Sequence, residues 1–524
     1  MAVAFAVLIP FFFLGEPSGH DFEFHLNSWM EVLSQWKQGI IYPRWAALAH
    51  YGYGEARFIF YPPASWILGA ALGAVLPWSV VPAAYIWLTL TAAGCSMFLL
   101  ARHWLDSRDA IFAAALYAVN PYHLVIVYWR SAFAELLAGV LLPLLVLLVL
   151  QAQEKGRKII LPLGLLVAAA WLTNAPSAVM VNYSLALLLV VVALYDRSPR
   201  ILLYGAAAIL LGLALAAFYV LPAAYEEKWV DISQVLALGV RPVDNFLFRM
   251  IDEPDHNIFN LLVSTVAAAE MILAAGLALL TTAWRKQKPL AWWTIMFWAG
   301  AATLLMFPVS MPVWQYLPKL RFVQLPWRWL LCFNVAFALL VAVACRRWLS
   351  RLLVCGALLA VLACGWAFLR SPWWDKPADI AEMQNNFQQA DGYEGTDEYV
   401  PTDADPYEIK RDAPLVGFEG SGQSRAKIEQ WAPQLKLFSA DAPSAGNLVL
   451  RLFNFPAWNV EVNGRTVTAD SRDVTGQMTI PVPAGKSVVR ITFQRTWDRT
   501  AGGAISGITL AFVVGLSILE RRKR

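Results

Sequence analysis

Long apolar runs separated by short polar breaks dominate the first 370 residues. A helix needs roughly 20 apolar residues to cross the hydrocarbon core of a bilayer. The runs therefore predict about twelve membrane spans. These are residues 2–14, 80–101, 109–128, 133–152, 159–173, 176–195, 201–222, 258–284, 290–312, 327–345, 349–369 and 504–519. A further apolar stretch, 64–77, is too short to span and is typical of a re-entrant or interfacial segment.

The pattern changes to polar sequence between residues 371 and 503. This region opens with an acidic, irregular stretch, Gln384–Asp412, and continues with an alternation of apolar and polar positions that is typical of strands. The predicted strands are Asn447–Phe453, Trp458–Val462, Met478–Val482 and Ser487–Phe493. Asn463-Gly464 is a hairpin signal, and Pro483-Ala484-Gly485 predicts a turn. We expect a small antiparallel β-sandwich or jelly-roll here.

Three parts follow from these patterns. Residues 1–370 form a predicted transmembrane domain, 371–503 a β-rich domain outside the cytoplasm, and 504–524 a final span with a basic tail. The fold class is mainly α: a polytopic helical bundle with a C-terminal β domain. No internal repeat is evident, which weakens a transporter built from inverted repeats.

Composition agrees with a membrane protein. Apolar residues make up 59% of the chain and charged residues 15%, and the mean hydropathy is +0.52. Many of the 24 tryptophans flank apolar runs, as in an interfacial belt. All five cysteines lie in or at the ends of apolar runs, so the β region is not a disulfide scaffold. No basic patch with interleaved aromatic residues indicates a nucleic-acid partner.

Basic residues mark one side of the predicted bundle. They concentrate in alternate loops, at residues 102–108, 155–158, 197–200, 285–288 and 346–351, and in the tail 521–524. The positive-inside rule then places both termini in the cytoplasm and the β domain outside. The first run has no positive segment before it and no cleavage signal after it, which favours a first membrane helix over a signal peptide.

The first outer loop begins with the densest group of chemically capable side chains. Asp21 and Glu23 stand with His20 and His25 in the run GHDFEFH, where the chain leaves the first span. A carboxylate at such a boundary can act as a general base. Two other interpretations stay open: Asp21 caps a helix with Glu23 in its dipole field, or the four residues bind a divalent metal.

The chain resembles a family of membrane proteins through an ordered set of short motifs. These are GHDFEFHLNSWMEVLSQWKQGIIYPRW, FIFYPP, YWRSAFAEL (128–136), LPAAYEEKWV (221–230), LPWRWL (325–330), GYEGTDEYVP (392–401) and FPAWNVEVNGR (455–465). The set resembles GT-C superfamily membrane glycosyltransferases, and most of all the bacterial "6-pyruvoyl-tetrahydropterin synthase-related" and YfhO-like membrane proteins. The twelve spans give no support to a pterin synthase activity.

The resemblance implies transfer of a sugar from a polyprenyl-phosphate carrier to a glycan, lipid or protein acceptor, usually with inversion, on the non-cytoplasmic face. It implies that Asp21 is the base, with Glu23 as its neighbour. Some members of the superfamily need a divalent metal and others do not, so Mg²⁺ or Mn²⁺ is left open as a cofactor. A bacterial inner membrane is the implied location, with a role in the cell envelope.

Transfer from a phosphate carrier also needs cations on the outer face, because negative charge develops on the leaving phosphate. Arg44, Arg57, Arg130 and Arg328 are the candidates for donor binding, with His20 and His25; Lys228, Arg241 and Arg321 are further outer cations. Simpler roles compete: Arg130 can pair with Glu135, Arg328 can snorkel at the interface, and Lys228 can be part of a solvated face.

The remaining polar residues of the spans and loops are less informative. Glu270 lies near the middle of the eighth span, where a charge is costly, so it has either a functional or a hydrogen-bonded packing role. His50, His123 and His256 are more typical of packed histidines than of ligands. The competing functions are a transporter or flippase for a lipid-linked glycan and a non-catalytic scaffold with a glycan-binding β domain.

Overall fold

A computed structural model describes residues 1–402, 404–422 and 424–522. The end of the predicted basic tail, Lys523 and Arg524, lies outside the described residues. The α-helices, in chain order, are α1 Ala2–Ala6, α2 Phe11–Leu14, α3 Phe22–Lys37, α4 Ala49–Gly52, α5 Arg57–Phe60, α6 Pro63–Gly73, α7 Val81–Arg102, α8 Ser107–Ala118, α9 Pro121–Val125, α10 Phe133–Ala138, α11 Leu141–Lys155, α12 Ile160–Thr173, α13 Ala175–Asp196, α14 Arg200–Leu215, α15 Ala217–Glu226, α16 Pro254–Leu280, α17 Thr282–Gln287, α18 Pro289–Leu305, α19 Met311–Tyr316, α20 Leu330–Ala344, α21 Trp348–Cys364, α22 Pro377–Gln388 and α23 Trp497–Arg522.

The membrane part agrees with the predicted spans. Among the described residues, eight helical segments are long and apolar enough to cross a bilayer, or ten when two bent pairs each count as one span. One of the eight, Phe133–Thr173, is 41 residues long, and α10 packs against α12, so the chain turns back at Gly156. The segment 2–14 is a short apolar pair, α1 and α2, interrupted before Pro10. The predicted polytopic helical bundle is confirmed.

The two bent pairs bend close to one end of the bundle. Residues 200–215 and 217–229 meet at 78°, and residues 289–305 and 308–316 at 94°. The first arm of each pair rises about 24 Å at 1.5 Å per residue, close to the thickness of the hydrocarbon core. The second arms therefore run along the surface of the bundle and do not continue across it.

The C-terminal region is built of antiparallel strands. The strands of the whole chain are β1 Glu16–Pro17, β2 Trp374–Asp375, β3 Val416–Glu419, β4 Arg425–Ala432, β5 Leu435–Ala442, β6 Gly446–Phe453, β7 Trp458–Val462, β8 Arg465–Val467, β9 Asp470–Ser471, β10 Gln477–Val482 and β11 Gly485–Phe493.

Two of the sheets stack face to face. One has the strand order β3-β6-β10-β9 and the other β4-β5-β11-β7-β8. Their inward side chains share one apolar core, for example Leu450 and Ile480 of the first sheet with Phe438 and Ile491 of the second. Asn463 and Gly464 both have positive φ and join β7 to β8, as a two-residue hairpin turn requires. The predicted β-sandwich is confirmed. The predicted irregular stretch from Gln384 is partly wrong, because α22 continues to Gln388.

The first loop and the β-rich region are interlocked. β1 pairs with β2, which joins the start of the loop to the segment after α21. Trp45 and Tyr53 are fully buried in the core of the sandwich, and the carbonyl of Tyr53 accepts a hydrogen bond from the Phe453 amide at 3.0 Å. This packing fixes the position of α3, which begins beside the GHDFEFH motif.

The two ends of the bundle differ in character. At one end the predicted basic loops meet, where Arg351 pairs with Asp109 and the Trp104 ring lies against Trp284. At the other end lie α3, the surface arms and the sheets. Arg130 and Arg328 are at this second end, together with the start of α3.

Candidate active site

The start of α3 is held against the chain at residues 129–131. The Gly19 amide donates to Ser131 Oγ at 2.9 Å, and Ser131 Oγ donates to the Pro17 carbonyl at 2.7 Å. The Asp21 amide donates to the Arg130 carbonyl at 2.9 Å. A Cβ on Gly19 would come within 2.4 Å of the Trp129 carbonyl oxygen, so only glycine permits this approach. The backbone thus places Asp21 beside Arg130.

Arg130 belongs to a buried group of three charges. Its Nη1 contacts Glu135 Oε2 at 2.5 Å, and Arg328 Nε contacts the same oxygen at 3.0 Å. Tyr122 donates its hydroxyl to Glu135 Oε1 at 2.5 Å. Because one carboxylate faces two guanidinium groups, this triad of Arg130, Glu135 and Arg328 keeps one net positive charge.

Local geometry explains how Arg130 reaches Glu135. Residues Ile126–Arg130 form a single wide helical turn, and Ser131 follows in the left-handed conformation with φ 52°. Such turns are frequent at functional sites.

The orientation of Arg328 is fixed by the preceding loop. Its Nη1 donates to the Val323 carbonyl at 2.8 Å and to Gln324 Oε1 at 3.0 Å. Arg328 therefore points into the protein and does not snorkel.

Asp21 lies at the open side of the triad. Its carboxylate is 3.8 Å from Arg130 Nη2, and its side chain is 41% exposed whereas that of Arg130 is 6% exposed. Asp21 occupies the N-cap position of α3, but its side chain makes no capping hydrogen bond. Helix capping therefore leaves this carboxylate free, and a partly exposed carboxylate facing a buried positive group can accept a proton from a bound molecule.

The two histidines of the motif have different surroundings. His20 is exposed, and its pKa lies below the usual value because of partial desolvation; Asp21 opposes this shift, whereas Arg130, Arg370 and His256 add to it. A neutral His20 ring at pH 7 can donate or accept a hydrogen bond but does not supply a positive charge.

His25 lies in an aromatic core. Its ring is 5.2 Å from Phe133 and 5.9 Å from both Trp29 and Tyr61, centroid to centroid. Complete burial lowers the pKa of His25 to about 3, and Arg57 and Arg130 act in the same direction. The ring is 1% exposed, so it packs α3 in place and does not face the Asp21 carboxylate.

Glu23 is separated from Asp21. It lines a cavity with Asp375 and Glu394 on the side of α3 that faces α22. Burial, followed by repulsion from Asp375 and Glu394, raises the pKa of Glu23 above its usual value. The structure therefore brings Asp21 together with the arginines and leaves Glu23 among other acids.

The charge of Arg57 is neutralised by an ion pair outside the triad. It is 1% exposed and pairs with Glu55, whose other oxygen lies 3.0 Å from His50 Nε2. Glu55 also accepts from the Thr396 amide at 2.8 Å. Burial opposes ionisation of Glu55, but Arg57 and His50 outweigh it, and its pKa falls to about 2. This group ties the first loop to the GYEGT segment (392–396).

The other predicted outer cations lie outside the triad. Arg44 stacks on the Tyr42 ring at 4.4 Å from its centroid. Lys228 lies over the Tyr225 ring, 3.8 Å from its centroid. Arg241 pairs with Asp244 at 2.7 Å. Arg321 lies over the Phe322 ring, 5.3 Å from its centroid.

The remaining polar candidates make local contacts. Glu270 accepts from Asn334 Nδ2 at 3.2 Å inside the bundle, between α16 and α20. His123 Nδ1 lies 3.2 Å from the Ala118 carbonyl, and His256 Nε2 lies 3.2 Å from the Asp244 carbonyl.

The four motif residues do not converge as metal ligands. Among the described residues, no three His, Cys, Asp or Glu side chains are arranged to hold a metal ion. His25 is turned into the aromatic core, and Glu23 faces a different cavity from Asp21. The described residues of the motif do not fit a resident divalent metal.

Sequence reasoning missed two parts of this site. One is the joint contact of Glu135 with Arg328, which joins residues 193 positions apart. The other is Tyr61 of the FIFYPP motif, whose pKa is raised well above its usual value by burial and by the nearby Asp21 charge. The ordered motifs FIFYPP, YWRSAFAEL and LPWRWL contained the signal, since each contributes to this end of the bundle.

Comparison with protein families identifies the family of this chain. The model of the "6-pyruvoyl-tetrahydropterin synthase related domain; membrane protein" family matches residues 58–373. The chain belongs to this family. The resemblance to the synthase-related membrane proteins, which the motifs indicated, is thereby confirmed. The matched residues include the triad but begin after Asp21 and Glu23.

Comparison with solved structures and curated proteins adds little to the family. A crystal structure of an oligosaccharyltransferase from Archaeoglobus fulgidus in the apo form matches with 14% identity and a TM-score of 0.31, over 75% of this chain and 55% of that one. The chain thus spans about half the length of that enzyme, and residue roles do not transfer at this level of similarity. No curated protein matches this chain significantly.

Proposed function

We propose that this membrane protein is a glycosyltransferase that moves a sugar from a polyprenyl-phosphate carrier to an acceptor hydroxyl on the non-cytoplasmic face. Asp21 is the general base, and Arg130 and Arg328 bind the carrier phosphate. The proposal rests mainly on one observation: a partly exposed carboxylate that makes no capping hydrogen bond lies 3.8 Å from a buried group with net positive charge.

The proposed sugar transfer needs only Asp21, Arg130 and Arg328 as reacting or charge-stabilising groups. The acceptor oxygen bonds to the anomeric carbon while its proton passes to Asp21. The bond between that carbon and the phosphate oxygen breaks on the opposite face of the sugar, and its electron pair leaves with the polyprenyl phosphate. Arg130 and Arg328 stabilise the charge that develops there, more strongly because they are removed from water. The expected outcome is inversion at the anomeric carbon.

Glu135 has a positioning role in this scheme. Two guanidinium groups close together would repel each other, and the shared carboxylate holds both in one place. The Tyr122 hydroxyl fixes the second oxygen of that carboxylate. Arg328 Nη2, together with Arg130 Nε and Nη2, makes no hydrogen bond among the described residues, and these nitrogens are available for phosphate oxygens, which arginine can bind in a bidentate manner.

The proposed location follows from the two ends of the bundle. The basic loops lie opposite the triad, and the positive-inside rule puts them in the cytoplasm. The candidate site and the β-sandwich then face outward, where lipid-linked sugars are used. A bacterial inner membrane is the proposed compartment.

The test is transfer by the Asp21→Asn variant. The measurement follows radiolabelled sugar from a set of polyprenyl-phosphate sugars into acceptors in membranes that contain the full chain. We expect a 10²- to 10⁴-fold loss of rate, about the contribution of a general base, with donor binding retained. The matched control, Asp473→Asn, changes an exposed carboxylate of the sandwich and should be unaffected.

Wild-type turnover by Asp21→Asn would contradict the base role. Movement of the labelled lipid across a vesicle membrane without loss of its sugar would instead identify a transporter.

A further inference from the structure

A second cavity lies on the other side of α3 from the triad. Its volume is about 410 Å³, within the range of small-molecule sites. It lies between α3, α22 and the GYEGT segment. Tyr51 and Phe387 give it aromatic walls, and Glu23 places it at the first turn of α3.

The cavity is strongly acidic. Five carboxylates line it, and no lysine or arginine does so among the described residues: Glu23, Asp375, Asp379, Glu382 and Glu394. Two arginines stack on its aromatic lining but do not line the cavity themselves: Arg411 lies 4.1 Å from the centroid of the Tyr51 ring, and Arg57 lies 5.3 Å from that of Tyr393. One carboxylate already has a structural role, because Asp379 accepts from the Lys376 amide at 2.7 Å at the start of α22.

The carboxylates repel one another at this site. Burial first, and then Asp375 and Glu394, raise the pKa of Glu23; burial and Asp379 raise that of Asp375. Like charges held together cost free energy unless a cation or a proton relieves them.

A buried amide independently indicates a ligand. Asn27 lines the same cavity and is only 7% exposed. In the part of the chain that the structure describes, its side-chain amide makes no hydrogen bond, and its atoms are accessible from the cavity. Asn27 follows Glu23 by four residues on α3, so the amide and the carboxylate share one helical face.

We propose that this cavity binds a positively charged amino group of the acceptor, with Glu23, Glu382 and Glu394 as the charged partners and Asn27 as a hydrogen-bonding group. This inference rests on the proposed function and names the class of its acceptor: an amine-bearing molecule. The carrier phosphate is repelled from this acidic side and attracted to Arg130 and Arg328. An acceptor held here by its amino group would extend around the start of α3, so that its hydroxyl meets the donor sugar at Asp21.

The test is a binding measurement on the full chain in detergent, without any donor. Isothermal titration compares a fully deacetylated glucosamine tetramer with its N-acetylated counterpart, which has the same backbone but no ammonium groups. We expect the deacetylated tetramer to bind at least tenfold more tightly. The preference should shrink with added salt, since exposed charges are screened.

Variants then locate the binding. Glu382→Gln combined with Glu394→Gln, and separately Asn27→Leu, should each weaken tetramer binding, the first by tenfold or more. Glu429→Gln changes an exposed acid on β4 and should leave binding unchanged. Equal affinity for the two tetramers, or an unchanged affinity in the double variant, would overturn the inference. So would Mn²⁺ binding that the double variant abolishes while tetramer binding persists, since the carboxylates would then serve a metal.

The two proposals fail separately. Tetramer discrimination together with full transfer by Asp21→Asn would remove only the proposed catalytic mechanism. Loss of transfer in Asp21→Asn without tetramer discrimination would remove only the amine site.

Discussion

Replacing Glu135 by glutamine tests the buried triad directly. Glutamine keeps the size of the side chain, and its oxygen can still accept from Tyr122, so the change removes mainly one negative charge. Arg130 and Arg328 are then left as two buried cations, 6% and 10% exposed at their side chains. Removal of one partner from a buried ion pair typically costs about 3–5 kcal/mol.

The expected loss for Glu135→Gln is therefore about 3–5 kcal/mol in the free energy of unfolding. Tyr122→Phe removes one hydrogen bond to a charged group and should cost less, about 1.5–3 kcal/mol. The double variant Glu135→Gln/Arg130→Gln should be more stable than the sum of the two single changes predicts, because one of the two uncompensated cations is removed as well.

The assay is reversible unfolding of the purified full chain in mixed micelles with increasing SDS, followed by tryptophan fluorescence. A loss below about 1 kcal/mol for Glu135→Gln would match a solvent-exposed pair. That result would show that water reaches the triad. It would also remove the reason to expect that Arg130 and Arg328 stabilise the phosphate charge more strongly than exposed arginines do.

Three other perturbations test separate parts of the structure. Gly19→Ala should displace the start of α3, because its Cβ would meet the Trp129 carbonyl at 2.4 Å; we expect loss of transfer with donor affinity retained, measured by turnover and by lipid-phosphate binding. Glu55 has a pKa lowered from 4.5 to about 2, so its contribution to stability is present above pH 4.5 and is lost as the pH falls through about 2. Unfolding of Glu55→Gln should depend less on pH in that window than the wild type, and an identical dependence would contradict the pairing. Asn334→Ala leaves Glu270 without its hydrogen bond and should cost about 1–3 kcal/mol, whereas Glu270→Gln should be nearly neutral in the same unfolding assay.

Local sequence patterns predicted much of the fold. The strand Trp458–Val462 has the predicted bounds, and β11 begins two residues before the predicted Ser487. These strands alternate between a buried and an exposed face, so their pattern is strong. β4, Arg425–Ala432, was not predicted, because six of its eight residues are exposed and its sequence is largely polar. Its pairing with β5 is decided by the tertiary structure.

The candidate site was less accessible from sequence. The motif that contains Asp21 was visible, as was the spacing of Arg130 and Glu135. The contact of Arg328 with Glu135 and that of Thr396 with Glu55 join residues 193 and 341 positions apart. No local pattern indicates such contacts, and therefore the sequence could not separate Arg328, which joins the triad, from Arg57, which is neutralised by Glu55.

The most direct measurement is an electron cryo-microscopy structure of the full chain with a polyprenyl phosphate bound. We expect density for the phosphate in contact with Arg130 and with Arg328 Nη2, with the carrier chain leading to the lipid and Asp21 across the space that the sugar would occupy. Phosphate density at Arg44 or Arg57, or a carrier bound at the end that holds the basic loops, would contradict it.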